Sequence, residues 1–186
     1  MISKGFNFPK LNCIVVVDAD FSGKGYDLRT TEKNIQLYNQ LSGRAGRFSN
    51  KSLIIYQTIL PTDETLKDII KNSPEKFLIN ELMLRKKNNL PPFSRLISLI
   101  ISAKSEINSL RGAQEIKKHL ITISDLEVLG PVDSPIFRIK KNYRTRLLIR
   151  SKAKSLIQKK LANILENLQI SKKIKLTVDV DPINFT

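Results

Sequence analysis

Two arginines three positions apart, Arg44 and Arg47, each follow a glycine in the string Gln40-Leu41-Ser42-Gly43-Arg44-Ala45-Gly46-Arg47. A guanidinium is a planar fork that makes paired, charge-assisted bonds to phosphate oxygens. The glycines let backbone pass close to a ligand with no Cβ in the way. An apolar repeat at Ile35, Tyr38 and Leu41 predicts a helix starting near Thr30 or Thr31, either able to cap it, and its end brings both arginines to a common point. Spacing alone leaves two readings open. The pair faces a phosphate and stabilises charge developing in phosphoryl transfer, or Gly43 and Gly46 close the helix and the arginines are solvated.

A second set of cations lies further on. The chain has 186 residues and a net charge of +15, with a pI near 10.0. Residues 75–186 hold twenty-two basic and ten acidic side chains; residues 138–160 hold ten basic and no acidic ones. That sign-pure stretch favours a polyanionic partner, most often nucleic acid. Arg138, Lys140, Lys141, Arg144, Arg146 and Arg150 can neutralise phosphates and release counterions. Tyr143 either stacks on an exposed base or packs on a neighbouring loop. Strand alternation puts Arg144, Arg146 and Arg150 on one face, opposite Thr145 and Leu147.

These residues need elements to position them. Residues 12–19 read as a strand buried on both faces of a parallel sheet, with Cys13, the only cysteine, buried in it. Residues 53–59 read as a second such strand, so strand, helix, strand predict a parallel crossover. Helices follow at 63–71, burying Leu66, Ile69 and Ile70, and at 75–87, burying Phe77, Leu78 and Leu82. Leu90-Pro91-Pro92-Phe93 breaks the second helix. Beyond it come a strand at 95–103, a helix at 106–120 with Ile107, Leu110, Ile116 and Leu120 on its apolar side, strands at 136–140 and 144–150, a helix at 155–168, and a strand at 173–180 with Ile174, Leu176, Val178 and Val180 inward. The order β-α-β-β-α-β is the ferredoxin-like split unit. The fold class is α/β, with expected boundaries of 1–72, a connecting helix and Pro-Pro linker at 73–92, and a nucleic-acid-binding domain at 93–186.

The string from Gln40 to Arg47 resembles motif VI of superfamily 2 helicases, Q-x-x-G-R-x-G-R, at every fixed position. Residues 1–9, M-I-S-K-G-F-N-F-P, look like motif V of the primosomal protein N′ (PriA) family of replication-restart helicases. Val16-Val17-Asp18-Ala19-Asp20, Leu90-Pro91-Pro92-Phe93-Ser94-Arg95-Leu96, Gly130-Pro131 through Pro135-Ile136, residues 138–150 and Val178-Asp179-Val180-Asp181-Pro182-Ile183 resemble further motifs of that family, in order. Leu90 replaces a tyrosine, and Val132-Asp133-Ser134 departs from the usual Ala/Pro.

The resemblance implies an incomplete RecA-like helicase second lobe followed by a domain like ribosomal protein S-ten. It implies that Gln40, Gly43, Arg44, Arg47 and Gly5 face a nucleotide, with Arg47 as the arginine finger and Arg44 beside it, and that Lys4 links that cleft to DNA. It implies forked or single-stranded DNA, single-strand-binding protein and primosome proteins as partners, and ATP with magnesium in the complete protein. The chain contains no G-x-x-x-x-G-K-[ST] loop, no D-E-x-H box and none of the family's eight-cysteine zinc region. We therefore expect no tight cofactor binding and no turnover by this chain alone, and no metal site; Asp18 and Asp20 read as strand-end residues, as do Asp179 and Asp181. The chain opens inside motif V, which suggests a fragment whose residues 1–60 are poorly supported, with strand edges exposed. His119 reads as an exposed residue near a helix end. No apolar run approaches the ~20 residues of a membrane helix, and with no secretory pattern the expectation is cytoplasmic, without membrane contact. Two other classes remain: a stand-alone DNA-binding module, and a ribosome-associated RNA binder.

Overall fold

The computed structural model describes residues 11–20, 28–43, 53–62, 64–71, 74–152, 156–183 and 185. It is mixed α/β and divides into two compact units, Met1–Leu82 and Met83–Thr186.

In the first unit, β1 (Cys13–Val16) pairs in parallel with β2 (Leu53–Tyr56), and α1 (Thr30–Ser42) lies between them in sequence, as the crossover reading requires. Ile14, Ile35, Tyr38, Leu41 and Phe77 form the core, with Leu11, Val16, Ile54 and Tyr56 packed against it. Ile14, Val16, Ile54 and Tyr56 are alternate residues, so they share the sheet face that meets this core. The opposite face carries Cys13, Val15, Leu53 and Ile55, all exposed. The expectation of strands buried on both faces, Cys13 included, is therefore corrected: one side of this two-stranded sheet is covered and the other is open. Both strands are also shorter than the apolar runs suggest.

α1 begins at Thr30 after Arg29, with no side-chain capping bond, so neither threonine takes the expected capping position. α2 (Glu64–Ile70) and α3 (Pro74–Lys87) follow. Proline opens α3, where its missing N–H is no loss. Leu66 and Phe77 are buried as expected, but Ile70, Leu78 and Leu82 are exposed, because each helix turns only a narrow stripe inward. Asn89 ends α3 with φ 51°, and the Leu90 N–H returns to the Arg85 carbonyl at 2.8 Å, satisfying a last-turn acceptor.

In the second unit, β3 (Ser94–Ala103), β4 (Leu126–Ile139), β5 (Asn142–Lys152) and β6 (Ile174–Val180) form an antiparallel sheet in the order β4-β5-β3-β6. α4 (Glu106–Leu120) and α5 (Ile157–Asn167) complete the unit. Ile97, Leu99, Ile101, Leu147 and Ile149, alternate residues of β3 and β5, form one core with Ala113, Ile116, Leu120, Ile157 and Leu161 of the helices. Burying such side chains fully stabilises by ~1.5–3 kcal/mol each before chain entropy is subtracted.

The buried face of α4 is Ser109, Gly112, Ala113, Ile116 and Leu120; Ile107 and Leu110 are exposed. The apolar stripe is rotated from the expected one because small residues let the helix approach the sheet closely. Buried Ser109 and Thr145 share a hydrogen bond of 2.9 Å, so neither hydroxyl is left unpaired. On β6, Ile174 and Leu176 pack on the core while Val178 and Val180 are exposed, so the inward alternation holds only for the strand's first half.

β4 is much longer than residues 136–140 suggest. Its register against β5 shifts between Leu129 and Val132 and again between Asp133 and Arg138. Pro131 and Pro135 fall inside those shifts, where the ladder needs no donor from them.

Candidate nucleic-acid interface

The β4–β5 hairpin turns on Lys140 and Lys141, both in the left-handed region with φ 47° and 65°. Ile139 pairs with Asn142 and Arg138 with Tyr143, so the turn is two residues long. Positive φ at both central positions matches the twist of a tight hairpin, and it holds both ammonium groups out at the tip. Lys140, Lys141 and Arg138 are exposed.

From the tip, β5 alternates. Thr145, Leu147, Ile149 and Ser151 are buried, whereas Arg144, Arg146, Leu148 and Arg150 are half-buried on the other face of the sheet. The expected alignment of the three arginines is therefore present, but their surroundings differ. Arg150 makes a two-point contact with Glu127, Nε to Oε2 at 2.8 Å and Nη2 to Oε1 at 2.9 Å, and donates from Nη1 to the Asn88 carbonyl at 3.0 Å. Its donors are largely used inside the unit. Arg146 donates from Nη1 to the Phe185 carbonyl at 2.8 Å, and its guanidinium carbon lies 5.2 Å from that residue's ring centroid. Arg144 makes, among the described residues, only a long contact of 3.4 Å to the Ile136 carbonyl.

Among the described residues, no carboxylate pairs with Arg144 or Arg146. Burial, and then the neighbouring Arg144 charge, lower the pKa of Arg146 from the ordinary guanidinium value. Two like charges on one face, one of them partly desolvated, are relieved by an anion.

Tyr143 sits edge-to-face with Phe137, centroids 5.3 Å apart, and the Arg138 guanidinium lies 4.9 Å from its centroid. It is thus packed within its own hairpin, with one ring face occupied by a cation.

In the first unit, Gln40 is exposed on the last turn of α1, and the Gly43 N–H bonds the Asn39 carbonyl at 3.1 Å. Arg44, Arg47, Lys4 and Gly5 lie outside the described residues. Asp20 is a structural residue: its carboxylate accepts from the Thr58 hydroxyl and from the Ile59 N–H at 2.8 Å, tying the end of β1 to the segment after β2. Asp181 pairs with Arg95 across β6 and β3. His119 is exposed. No group of three or more His, Cys, Asp or Glu that could hold a metal occurs among the described residues, and no helix there is long and apolar enough to cross a membrane.

Glu127 and Phe185 escaped sequence reasoning. A regular ladder running back from the two-residue turn would set Arg150 against Pro131; only the two register shifts bring it to Glu127. Phe185 follows the last strand, and no periodicity points to it.

A model of the primosomal protein N C-terminal domain matches residues 86–183, more than half of the chain. The chain is similar to replication restart protein PriA of Rickettsia conorii, 36% identical over 186 residues. It is 32% identical to the protein of that name from Borreliella burgdorferi and 31% identical to that of Bacillus subtilis. These alignments cover 98–100% of this chain but only 23–28% of the relatives, so the chain spans about a quarter of their length.

Proposed function

The chain belongs to the primosomal protein N C-terminal domain family, and from that premise we propose that it is the C-terminal part of an ATP-dependent 3′–5′ DNA helicase that restarts stalled replication forks. The second unit grips forked or single-stranded DNA, and the first carries part of the motor's second lobe. The observation that carries the reading is the pair Arg144 and Arg146, adjacent on one sheet face with no carboxylate partner among the described residues, below a hairpin tip of Arg138, Lys140 and Lys141. A phosphate backbone supplies the missing negative charge and needs no base-specific contact. The strand order β4-β5-β3-β6 supports a ferredoxin-like reading of this unit, and the β1-α1-β2 parallel crossover supports a RecA-like reading of the first.

For the nucleotide, the residues of this chain fit a contributing edge and not a complete cradle. Gln40 is exposed at the end of α1, and the sequence holds no phosphate loop. In this proposal Gln40, Gly43, Arg44, Arg47 and Gly5 meet ATP and magnesium held by the rest of the protein, Lys4 links that cleft to the DNA track, and no step of hydrolysis is completed here. Single-strand-binding protein and primosome proteins are the proposed protein partners.

The test has two arms. This chain should bind forked DNA in a salt-sensitive manner, with ATP making no difference and no phosphate released. In the full-length protein, Arg47→Ala should lower ATPase by about 10³-fold or more. A stand-alone DNA-binding module gives the first result without the second. Preference for RNA over forked DNA at matched salt would sink both in favour of an RNA binder.

A further inference from the structure

The register of the sheet gathers cations that are far apart in sequence. Ala103 pairs with both Tyr143 and Ile174, and Ile139 pairs with Asn142. The end of β3, the tip of the β4–β5 hairpin and the start of β6 therefore lie along one end of the sheet. Lys104 follows β3 there, and Lys172 and Lys173 precede β6; all three are exposed. Lys175, also exposed, and Arg144 both face Ser102 across neighbouring strands, so they flank β3 at one register and on one sheet face.

The opposite end of the sheet is different. Asp125, Glu127 and Asp181 lie there, and they hold Lys160, Arg150 and Arg95 in ion pairs. At the hairpin end none of Lys104, Lys172, Lys173 and Lys175 has a carboxylate partner among the described residues; the acidic residues toward that end are Glu106 in the first turn of α4, Glu166 in the last turn of α5 and Asp133 of β4. The charge of the unit is thus graded along the strands, with cations held in ion pairs at one end and in excess over carboxylates at the other.

We infer that Lys104, Lys172, Lys173 and Lys175 extend the hairpin's cation cluster into a track for a nucleic-acid phosphate backbone across the whole end of the sheet. The inference rests on the DNA-binding reading above and adds contacts from two connections that are remote from the hairpin in sequence. A backbone lying across the strands meets the hairpin tip, then Arg144, then Lys175 and the lysines before β6. Compact ammonium groups on exposed connections suit this sequence-independent contact.

The experiment compares the full chain with two doubly substituted forms of equal charge change. One is Lys172→Glu with Lys173→Glu. The other is Lys118→Glu with Lys159→Glu, two exposed lysines near the opposite end of the sheet. Binding of labelled forked DNA is followed by anisotropy from low to moderate salt, and circular dichroism checks folding; Lys172→Gln with Lys173→Gln serves if the glutamate form does not fold. The expected result is about tenfold weaker binding for the first form and a salt slope reduced by about two, with the second form close to the parent. Equal behaviour of the two forms overturns the inference. A loss of binding to phosphatidylserine vesicles by the first form as large as its loss of binding to forked DNA also overturns it, since the patch would then be a general anion surface. If the hairpin form Lys140→Glu with Lys141→Glu binds as the parent does, the DNA-binding reading itself fails.

Discussion

The Arg146 guanidinium and Phe185 hold one another at two points, a hydrogen bond of 2.8 Å to the carbonyl and a ring contact at 5.2 Å. The segment after β6 thereby fixes the orientation of a half-buried cation on the open face of the sheet. Charge and position can be separated here. Arg146→Gln should weaken forked-DNA binding and lower the salt slope by about one. Phe185→Ala should weaken binding while leaving the slope unchanged, because no charge is lost. A slope change with Phe185→Ala would contradict this division.

Arg150 stands in contrast. Its two-point contact with Glu127 and its bond to the Asn88 carbonyl use the donors that a phosphate would need. Arg150→Gln removes both the charge and the fork. It should cost on the order of 0.5–1 kcal/mol in chemical unfolding and leave the salt slope of DNA binding as it was. A fall in the slope would return Arg150 to the phosphate-contacting set.

Gly130 tests the register shift that makes this contact possible. It has φ +95°, and a Cβ there would meet the Arg146 carbonyl oxygen at 2.8 Å and the Val132 nitrogen at 3.2 Å. Both obstacles are backbone, so neither can rotate away. Gly130→Ala should lower stability by about 2–4 kcal/mol, read as a shift of the denaturation midpoint. A change of a few tenths would mean that the strand crossing is looser than described.

The first unit carries a pH signature. Tyr38 and Tyr56 meet edge-to-face at 5.3 Å. Burial raises both pKa values above 10.0; for Tyr38 the charges of Tyr56, Asp18 and Asp20 add to the effect. The folded form then keeps its protons after the unfolded chain has begun to release them. This contribution to stability is full below the ordinary tyrosine pKa and is lost as pH rises from there through the raised folded values. Tyrosinate absorbance should therefore rise late and together with alkaline unfolding, and Tyr56→Phe should reduce that loss.

How much of this was legible depends on what each signal encodes. The strand and helix order of the second unit follows from hydrophobic period, and the two-sided character of β5 follows from alternation, so the Arg144–Arg146 face could be named in advance. The inner face of α4 could not, because Ser109, Gly112 and Ala113 bury through close approach and not through hydrophobicity. β4 was half hidden, since its prolines read as loop until the register shifts give them places without ladder bonds. In the first unit the strands were found, but their burial was overestimated: an apolar run reports what a face requires, and Cys13 and Val15 lie on a face with no cover. The apolar repeat Ile35-Tyr38-Leu41 predicts the helix that carries Gln40 on its last turn and is closed by Gly43.

The most direct test is forked-DNA binding by the chain carrying Lys140→Glu and Lys141→Glu, measured across salt with and without ATP. The account predicts about tenfold or greater loss of affinity, a salt slope reduced by about two, and no response to ATP. Unchanged affinity and slope would contradict it, because the exposed hairpin tip would then have no part in holding the nucleic acid.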